Sequence, residues 1–484
     1  MPLPDLIEIV PLSAPVRAEI TVPGSKSITN RALVLAALAD SEVTLEGALW
    51  SEDTQVMVDC LQRLGFEVRV ELDPNEFCNR TITVCGRGGE IPKAGTEDKP
   101  LELFVGNAGT AARFLAAMVC LGRGVYRLSG VPRMHERPQA ALLKALRELG
   151  YRVEAEHGND KLPVRIHHRG TETTEQTKPS SMPSVSPWLR KCRVSIEHSS
   201  QFASALLLCA ERGGWQIEVV GENAEESPYV AMTTEMIKVF PRRGGKFQIE
   251  PDASSGSYFL AADWVQWVAF RNNHEFNAGM DWIRVMQWPE SNMQIDSRYR
   301  ELRRLEKDVI SRRSDIADSV MIAIAKAPLN PAPMTSQFVY PSDITDIPKV
   351  SGSAAPRVFT DLGRLRVQEC ERVYALKTEL EKCGATVFER GDSLIVFPSV
   401  LHRPLNPDGS RGWIETYDDH RMAMCFAVLG LKVPGIKLRN PICVKKTFPN
   451  FFQKLAAAPP HGLGVEIRDG HTGRRLSHEE LFAD

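Results

Sequence analysis

The sequence predicts an α/β chain of two domains, assembled from repeated helix–strand units rather than from one doubly wound sheet. Length is the first reason, since 484 residues exceed the roughly 250–300 at which a single hydrophobic core stops growing. The second is a recurrent layout. CLQRLGFEVRVE (60–71), ALRELGYRVEAE (145–156) and ELEKCGATVFER (379–390) each carry a helical run, a glycine and at once an alternating strand. Gly65, Gly150 and Gly384 stand just past the helix, where the backbone turns left-handed. The alternation marks a strand with one buried face. One copy is ordinary in any α/β protein; three point to repeated units.

Composition removes several function classes. With 43% hydrophobic and 25% charged residues the chain is of soluble globular type. Its 59 Lys and Arg against 61 Asp and Glu give no field toward nucleic acid or an anionic membrane, so any anion specificity must be local. The start, MPLPDLIEIVPLSAP, lacks the basic flank and apolar run of a signal peptide. No stretch approaches the ~20 apolar residues that cross a bilayer. Ten cysteines without a C-x-x-C pair read as reduced thiols in a cytoplasmic protein, not as a disulfide or zinc framework.

Some regions interrupt the repeat. Segment 171–188, TETTEQTKPSSMPSVSPW, reads as an exposed loop, and 330–357 has the same proline-rich character. Segment 264–308 mixes tryptophans with RYRELRRLEKD and receives no element, and 456–484 is a charged, turn-rich tail.

The candidate chemistry sits at helix starts. In TVPGSKSITNRALVLAAL (21–38) a strand ends at Val22, Pro23-Gly24 turns the chain and Ser27 caps a helix. Lys26 and Arg31 then lie by free backbone N–H groups that favour an anion. Walker A spacing is absent, and Lys26 read singly is equally a surface lysine. In LFVGNAGTAARFLAAM (103–118) Gly106, Ala108 and Gly109 permit close backbone approach, with Thr110 and Arg113 on the first turn. GVPRMHERP (130–138) crowds Arg133, Glu136 and Arg137 at a turn, and EHSSQFASALLL (197–208) offers Ser199, Ser200 and Gln201. Three such starts in one half of the chain point to a ligand with more than one anionic group. Further on, Asp318 in IADSVMIAIA reads as an N-cap. Glu369 and Arg372 in RVQECERV share a helix face and read equally as a surface ion pair. TYDDHRMAMCFAV sets Asp419, His420 and Arg421 before an apolar helix, and NPICVKKTFPNFF carries Lys445 and Lys446 at a turn.

In this order, PGSKSITNRA, GNAGTAARF, RMHERP, SSQFASALL, RVQECERV, DDHRMAM and CVKKTFPNFF resemble the EPSP synthase (3-phosphoshikimate 1-carboxyvinyltransferase) family over about residues 8–455. The flavour is closest to the EPSP synthase domain of the fungal pentafunctional shikimate-pathway polypeptide, and the expectation is of that domain alone. The resemblance implies the enolpyruvyl transferase fold: two similar domains, each of three βαβαββ units around a pseudo-threefold axis, with the active site in the interdomain cleft. It places one domain at 1–22 plus 252–455, the other at 23–251, and the tail at 456–484. The implied reaction moves the enolpyruvyl group of phosphoenolpyruvate to the 5-hydroxyl of shikimate 3-phosphate by addition and elimination. It implies no cofactor and no metal, two small-molecule partners, no nucleic acid or membrane, and a monomer or a domain related to a multienzyme polypeptide.

By position, the resemblance assigns phosphoenolpyruvate to Lys26, Asn107, Gly109, Thr110, Arg133, Arg372, Arg421 and Lys446. Shikimate 3-phosphate falls to Ser27, Arg31, Ser199, Ser200, Gln201, Tyr229 and Asp318. Asp318, Glu369 and Lys26 are the implied catalytic groups, with Gln368, His420 and Cys443 as weaker candidates. Gln368 stands where many members have lysine, Arg364 near where an asparagine would bind the ring, and Glu226 in place of a ligand serine. The sister transfer to UDP-N-acetylglucosamine is disfavoured by Ser27, GNAGT and SSQ. A non-catalytic relative impaired by segments 171–188, 264–308 and 330–357 is the alternative of a different class.

Overall fold

The computed structural model describes residues 2–168, 190–197, 199–221, 228–272, 281–330 and 355–483. Segment 171–188, Glu226 and 331–354 lie outside the described residues. The chain forms two compact units, one of Met1–Pro23, Glu76–Cys78 and Glu250–Asp484, the other of Gly24–Asn75 and Asn79–Ile249.

Both units are built from the same sheet pattern. In the second unit, Gly245–Gln248, Glu42–Leu49, Asn79–Cys85 and Val68–Leu72 lie side by side, the first pair parallel and the next two antiparallel. Leu101–Phe104, Val125–Ser129, Val164–His167 and Arg152–Ala155 repeat that order, and Arg190–Ser195 pairs in parallel with Trp215–Val220. The first unit repeats it twice, with Val309–Ser311, Arg357–Thr360, Ser393–Phe397 and Thr386–Arg390, then Ile414–Glu415, Ile436–Arg439, Leu6–Ile9 and Ile467–Asp469. Its two-stranded sheet joins Ala18–Ile20 to Ile283–Val285.

The repeated glycines are the hinge of three of these sheets. Gly65, Gly150 and Gly384 have φ of 91°, 89° and 85°. They follow the helices Glu52–Arg63, Ala140–Glu148 and Arg372–Lys382. In each, the residue after glycine donates its N–H to the carbonyl five positions back, the 6→1 bond of a Schellman turn: Phe66 to Leu61 at 3.0 Å, Tyr151 to Leu146 at 3.1 Å, Ala385 to Leu380 at 3.0 Å. A side chain at that φ is strained, and the chain must reverse there to lay down its strand.

Inside each unit three further helices pack on one another. They are Lys26–Leu38, Gly109–Met118 and Gln201–Gly213 in the second unit, and Ala253–Phe270, Val320–Lys326 and His420–Gly430 in the first. Runs such as ALVLAAL and MAMCFAVLG are apolar all round, the signature of a helix buried on every side. The first turn of a buried helix carries N–H groups with no partner in the helix, so the polar motif residues collect there. No helix among the described residues is long and apolar enough to cross a membrane.

Segment 456–484 is not a detached tail. Ile467–Asp469 covers the outer edge of strand Leu6–Ile9, with Ile7 opposite Asp469. Leu463, Val465, Ile467, Leu476 and Leu481 are core residues of the first unit. Truncation after Ala456 is expected to lower the melting temperature by roughly 10 °C, from several lost apolar side chains. It should also promote association through the bared strand edge. Calorimetry and light scattering check both.

Candidate active site

Three helix starts of the second unit carry the motif residues, and two of them, at Gly109 and Gln201, are joined by side-chain hydrogen bonds. The N-cap of Lys26–Leu38 is Ser25, not Ser27, so the helix begins two residues earlier than the capping pattern suggested. Lys26 leads the helix, and its Nζ lies 3.0 Å from Oδ2 of the buried Asp53. At Gly109–Met118, a Cβ on Gly109 would stand 2.8 Å from the Arg137 guanidinium and 2.9 Å from that of Arg113. Glycine is therefore required for both arginines to reach the first turn. Arg113 donates to Gln201 Oε1 at 2.5 Å, and Gln201 Nε2 donates to Thr110 Oγ1 at 3.1 Å. Arg137 donates to the Asn107 carbonyl at 3.2 Å. Arg137 Nε and Asn107 Oδ1 are buried with no hydrogen-bond partner among the described residues. Two guanidinium groups at the positive end of a helix repel that end, and an anion between them removes the conflict.

Other expected ligands are placed differently. Arg133 is half exposed and pairs with its neighbour Glu136 at 2.5 Å. Arg31 is buried inside the helix trio, donating to Thr233 Oγ1 (2.7 Å), the Ser27 carbonyl (2.8 Å), Ser204 Oγ (3.1 Å) and the Tyr229 carbonyl (3.4 Å). Burial pushes its guanidinium down to about 10, against the opposing influence of Tyr229. The guanidinium of Arg31 thus ties Ser27 to Tyr229. Ser199 Oγ accepts from the Gln201 N–H at 3.2 Å, and Ser200 occupies the N-cap of Gln201–Gly213.

The first unit holds a buried charge cluster. Asp318 does not cap its helix, whose N-cap is Ser319. Its carboxylate instead meets Arg312 at 3.1 Å and Arg421 at 3.0 Å. Arg372, 1% exposed, donates from Nε to Asp419 Oδ2 at 2.6 Å and from Nη2 to Glu369 at 2.8 Å, and also bonds Gln368. Lys446 Nζ lies 3.1 Å from Glu369. Arg372 is therefore buried and Glu369 largely shielded, 12% exposed, in the segment ahead of the helix. Asp419 is at once the N-cap of His420–Gly430, accepting from the Arg421 N–H at 2.8 Å. His420 is buried beside it. Cys443 is buried as well, and burial pushes its thiol up, which disfavours the reactive thiolate.

Burial alone would raise the Asp318 carboxyl; Arg421, Arg312 and Arg372 outweigh it and hold it well below the usual carboxylate range. A carboxyl depressed in the folded state adds stability above its unfolded pKa of about 3.9, and that stability is lost as pH falls through the folded value. The stability gap between the wild type and Asp318→Asn is therefore expected to stay constant from pH 5 to 8 and to narrow below about pH 4, as read by urea titration at each pH.

Sequence reasoning named Arg113, Arg137 and Asp419 at their helix starts without giving them a role in the site, and it did not single out Asp53 or Arg312. Asp53, Arg312 and Asp419 hold Lys26, Asp318 and Arg372 in place, and Arg113 and Arg137 flank Gly109. Arg137 and Asp419 lie within motifs already singled out. Arg312 stands in no recognised motif, and Asp53 meets Lys26 only through the fold.

A family model described as EPSP synthase (3-phosphoshikimate 1-carboxyvinyltransferase) matches residues 10–243 and 241–455. The 3-phosphoshikimate 1-carboxyvinyltransferase of Trichormus variabilis is 34% identical over 480 residues, 93% of this chain and 98% of the relative. That of Opitutus terrae is 35% identical over 488 residues, covering 94% and 98%. Among solved structures, EPSP synthase from Acinetobacter baumannii aligns with a TM-score of 0.60 at 18% identity, over 96% of this chain and all of that one. The enolpyruvyl transferase NikO from Streptomyces tendae gives 0.59 at 15%, over 97% and 99%. These two carry the fold: this chain has that of the enolpyruvyl transferases.

Proposed function

We propose a function from one premise, that the chain belongs to the EPSP synthase family: it transfers the enolpyruvyl group of phosphoenolpyruvate to the 5-hydroxyl of shikimate 3-phosphate, releasing phosphate. The observation that carries the mechanism is the gathering of Arg312, Arg372, Arg421 and Lys446 about Asp318 and Glu369, every contact at 2.8–3.1 Å. Phosphoenolpyruvate carries a phosphate and a carboxylate, and forked guanidinium groups with a lysine point charge match them.

In the first unit Arg372, Arg421 and Lys446 are the ligands for the donor's anionic groups; in the second unit Lys26, Asn107, Gly109 and Thr110 form a separate anion-binding set. Arg137 and Arg113 belong with that set, because they flank Gly109. Arg133, paired with Glu136 on the surface, takes the lesser part. Ser27, Ser199, Ser200, Gln201 and Tyr229 serve shikimate 3-phosphate, with Arg31 holding Ser27 and Tyr229 in place.

The 5-hydroxyl attacks C2 of phosphoenolpyruvate while C3 gains a proton; phosphate then leaves C2 as C3 gives a proton back. Asp318 accepts the hydroxyl proton. In the free protein its charge is pinned by arginines, but an anion drawn onto Arg421 and Arg372 weakens that hold and raises the carboxyl toward a working base. Glu369, between Arg372 and Lys446, is placed to exchange the C3 proton, and Lys26 assists. Donors that meet charge developing in the intermediate are each worth roughly 3–4 kcal/mol. The ten unbridged cysteines support a reducing, cytoplasmic compartment. A phosphate-release assay tests the reading: release is expected only with both substrates present. No release, or release from phosphoenolpyruvate alone, counts against it.

A further inference from the structure

We propose that Asp296 is a positioning residue for Asp318, holding the backbone that carries this carboxylate. The inference rests on the role given above to Asp318. Asp296 is buried, and its carboxylate bridges two helix starts. Oδ1 accepts the Ser319 N–H at 3.0 Å, and Oδ2 accepts the Ser254 hydroxyl at 2.5 Å. Ser319 directly follows Asp318 and is the N-cap of Val320–Lys326; Ser254 is the second residue of Ala253–Phe270. Two positions earlier, Gln294 accepts the Ala253 N–H at 3.0 Å and donates to the Pro251 carbonyl at 2.9 Å. Residues 294–296 thus brace both helices from one short turn, in the segment that the sequence left without an element.

The physical need is specific. The Ser319 N–H is one of the orphan donors at a buried helix start, and leaving it unpaired is costly. A carboxylate is the acceptor best suited to two positive helix ends, and Asp296 also favours the charged form of Arg421. Asp318 is consequently held twice, by Arg312 and Arg421 at its carboxylate and by Asp296 at the adjoining amide. Without the second hold its carboxylate would drift relative to the hydroxyl it must deprotonate, and a misplacement near 1 Å lowers rate by about 100-fold.

The test compares Asp296→Ala, Asp296→Asn and Asp318→Asn by steady-state kinetics, per folded molecule from near-ultraviolet circular dichroism. Asparagine keeps an acceptor for the Ser319 amide. Asp296→Ala is expected to lose about 100-fold in kcat, with KM for phosphoenolpyruvate nearly unchanged, and Asp296→Asn to recover kcat to within about threefold of wild type. A merely structural aspartate would leave kcat of the folded fraction intact. If the alanine variant does not fold, Asp296→Glu replaces it, shifting the carboxylate by one methylene, with a similar loss expected and full kcat overturning the proposal. Wild-type kcat in Asp296→Ala, or an asparagine variant as slow as the alanine one, overturns it. If Asp318→Asn is inactive while Asp296→Ala is normal, this inference alone fails; a fully active Asp318→Asn overturns the role of Asp318 as well.

Discussion

Arg372→Ala is expected to abolish measurable enolpyruvyl transfer and to destabilise the protein by roughly 3–5 kcal/mol. Arg372 is the centre of the charge cluster in the first unit, touching Asp419, Glu369 and Gln368 from one guanidinium. Burial opposes its charge, yet Asp419, Glu369 and Asp318 more than offset that and hold it firmly cationic. Removing it strands Asp419, fully buried, beside nothing of opposite charge in that direction, and it removes a fork meant for the donor's anion. Arg372→Lys is expected to restore part of the stability and little of the activity, since an ammonium cannot reproduce donation from both Nε and Nη2. Urea titration and phosphate release read the two effects separately. Wild-type turnover in Arg372→Ala would remove the cluster from the mechanism.

Lys26→Ala is expected to lose about 10²–10³ in kcat while the protein stays folded. Lys26 is 18% exposed and among the described residues makes one ion pair, with Asp53, so its removal disturbs the fold mainly by leaving that buried carboxylate alone. The double variant Lys26→Ala, Asp53→Asn removes the stranded charge. It is expected to regain stability and no activity, which separates a ligand-binding lysine from a structural one. Full activity in either variant would contradict the assignment of Lys26.

How much of this was legible in the sequence depends on the range of the interaction concerned. Gly65, Gly150 and Gly384 were legible because a Schellman turn is closed by residues within one helix end. The helix starts at Gly109 and His420 were legible too, because glycine or polar motif residues stand directly ahead of an apolar run. Segment 456–484 was not, since its apolar residues are few and unevenly spaced among charges, and strand pairing with Leu6–Ile9 joins opposite ends of the chain. Asp318 looked like a cap because capping is local; Arg421, far along the sequence, decides otherwise. Ser27 and Ser25 flank the same lysine, and nothing local distinguishes which begins the helix. The anchoring residues Asp53, Arg312 and Asp296 are held by contacts that only the folded chain makes.

The most direct measurement is proton and phosphorus nuclear magnetic resonance of a reaction run in deuterated water with phosphoenolpyruvate and shikimate 3-phosphate. One enol ether and one phosphate are expected for each phosphoenolpyruvate consumed, with deuterium entering the vinyl group through the reversible protonation of C3. Pyruvate and phosphate formed without shikimate 3-phosphate, or no consumption of either substrate, would contradict the account.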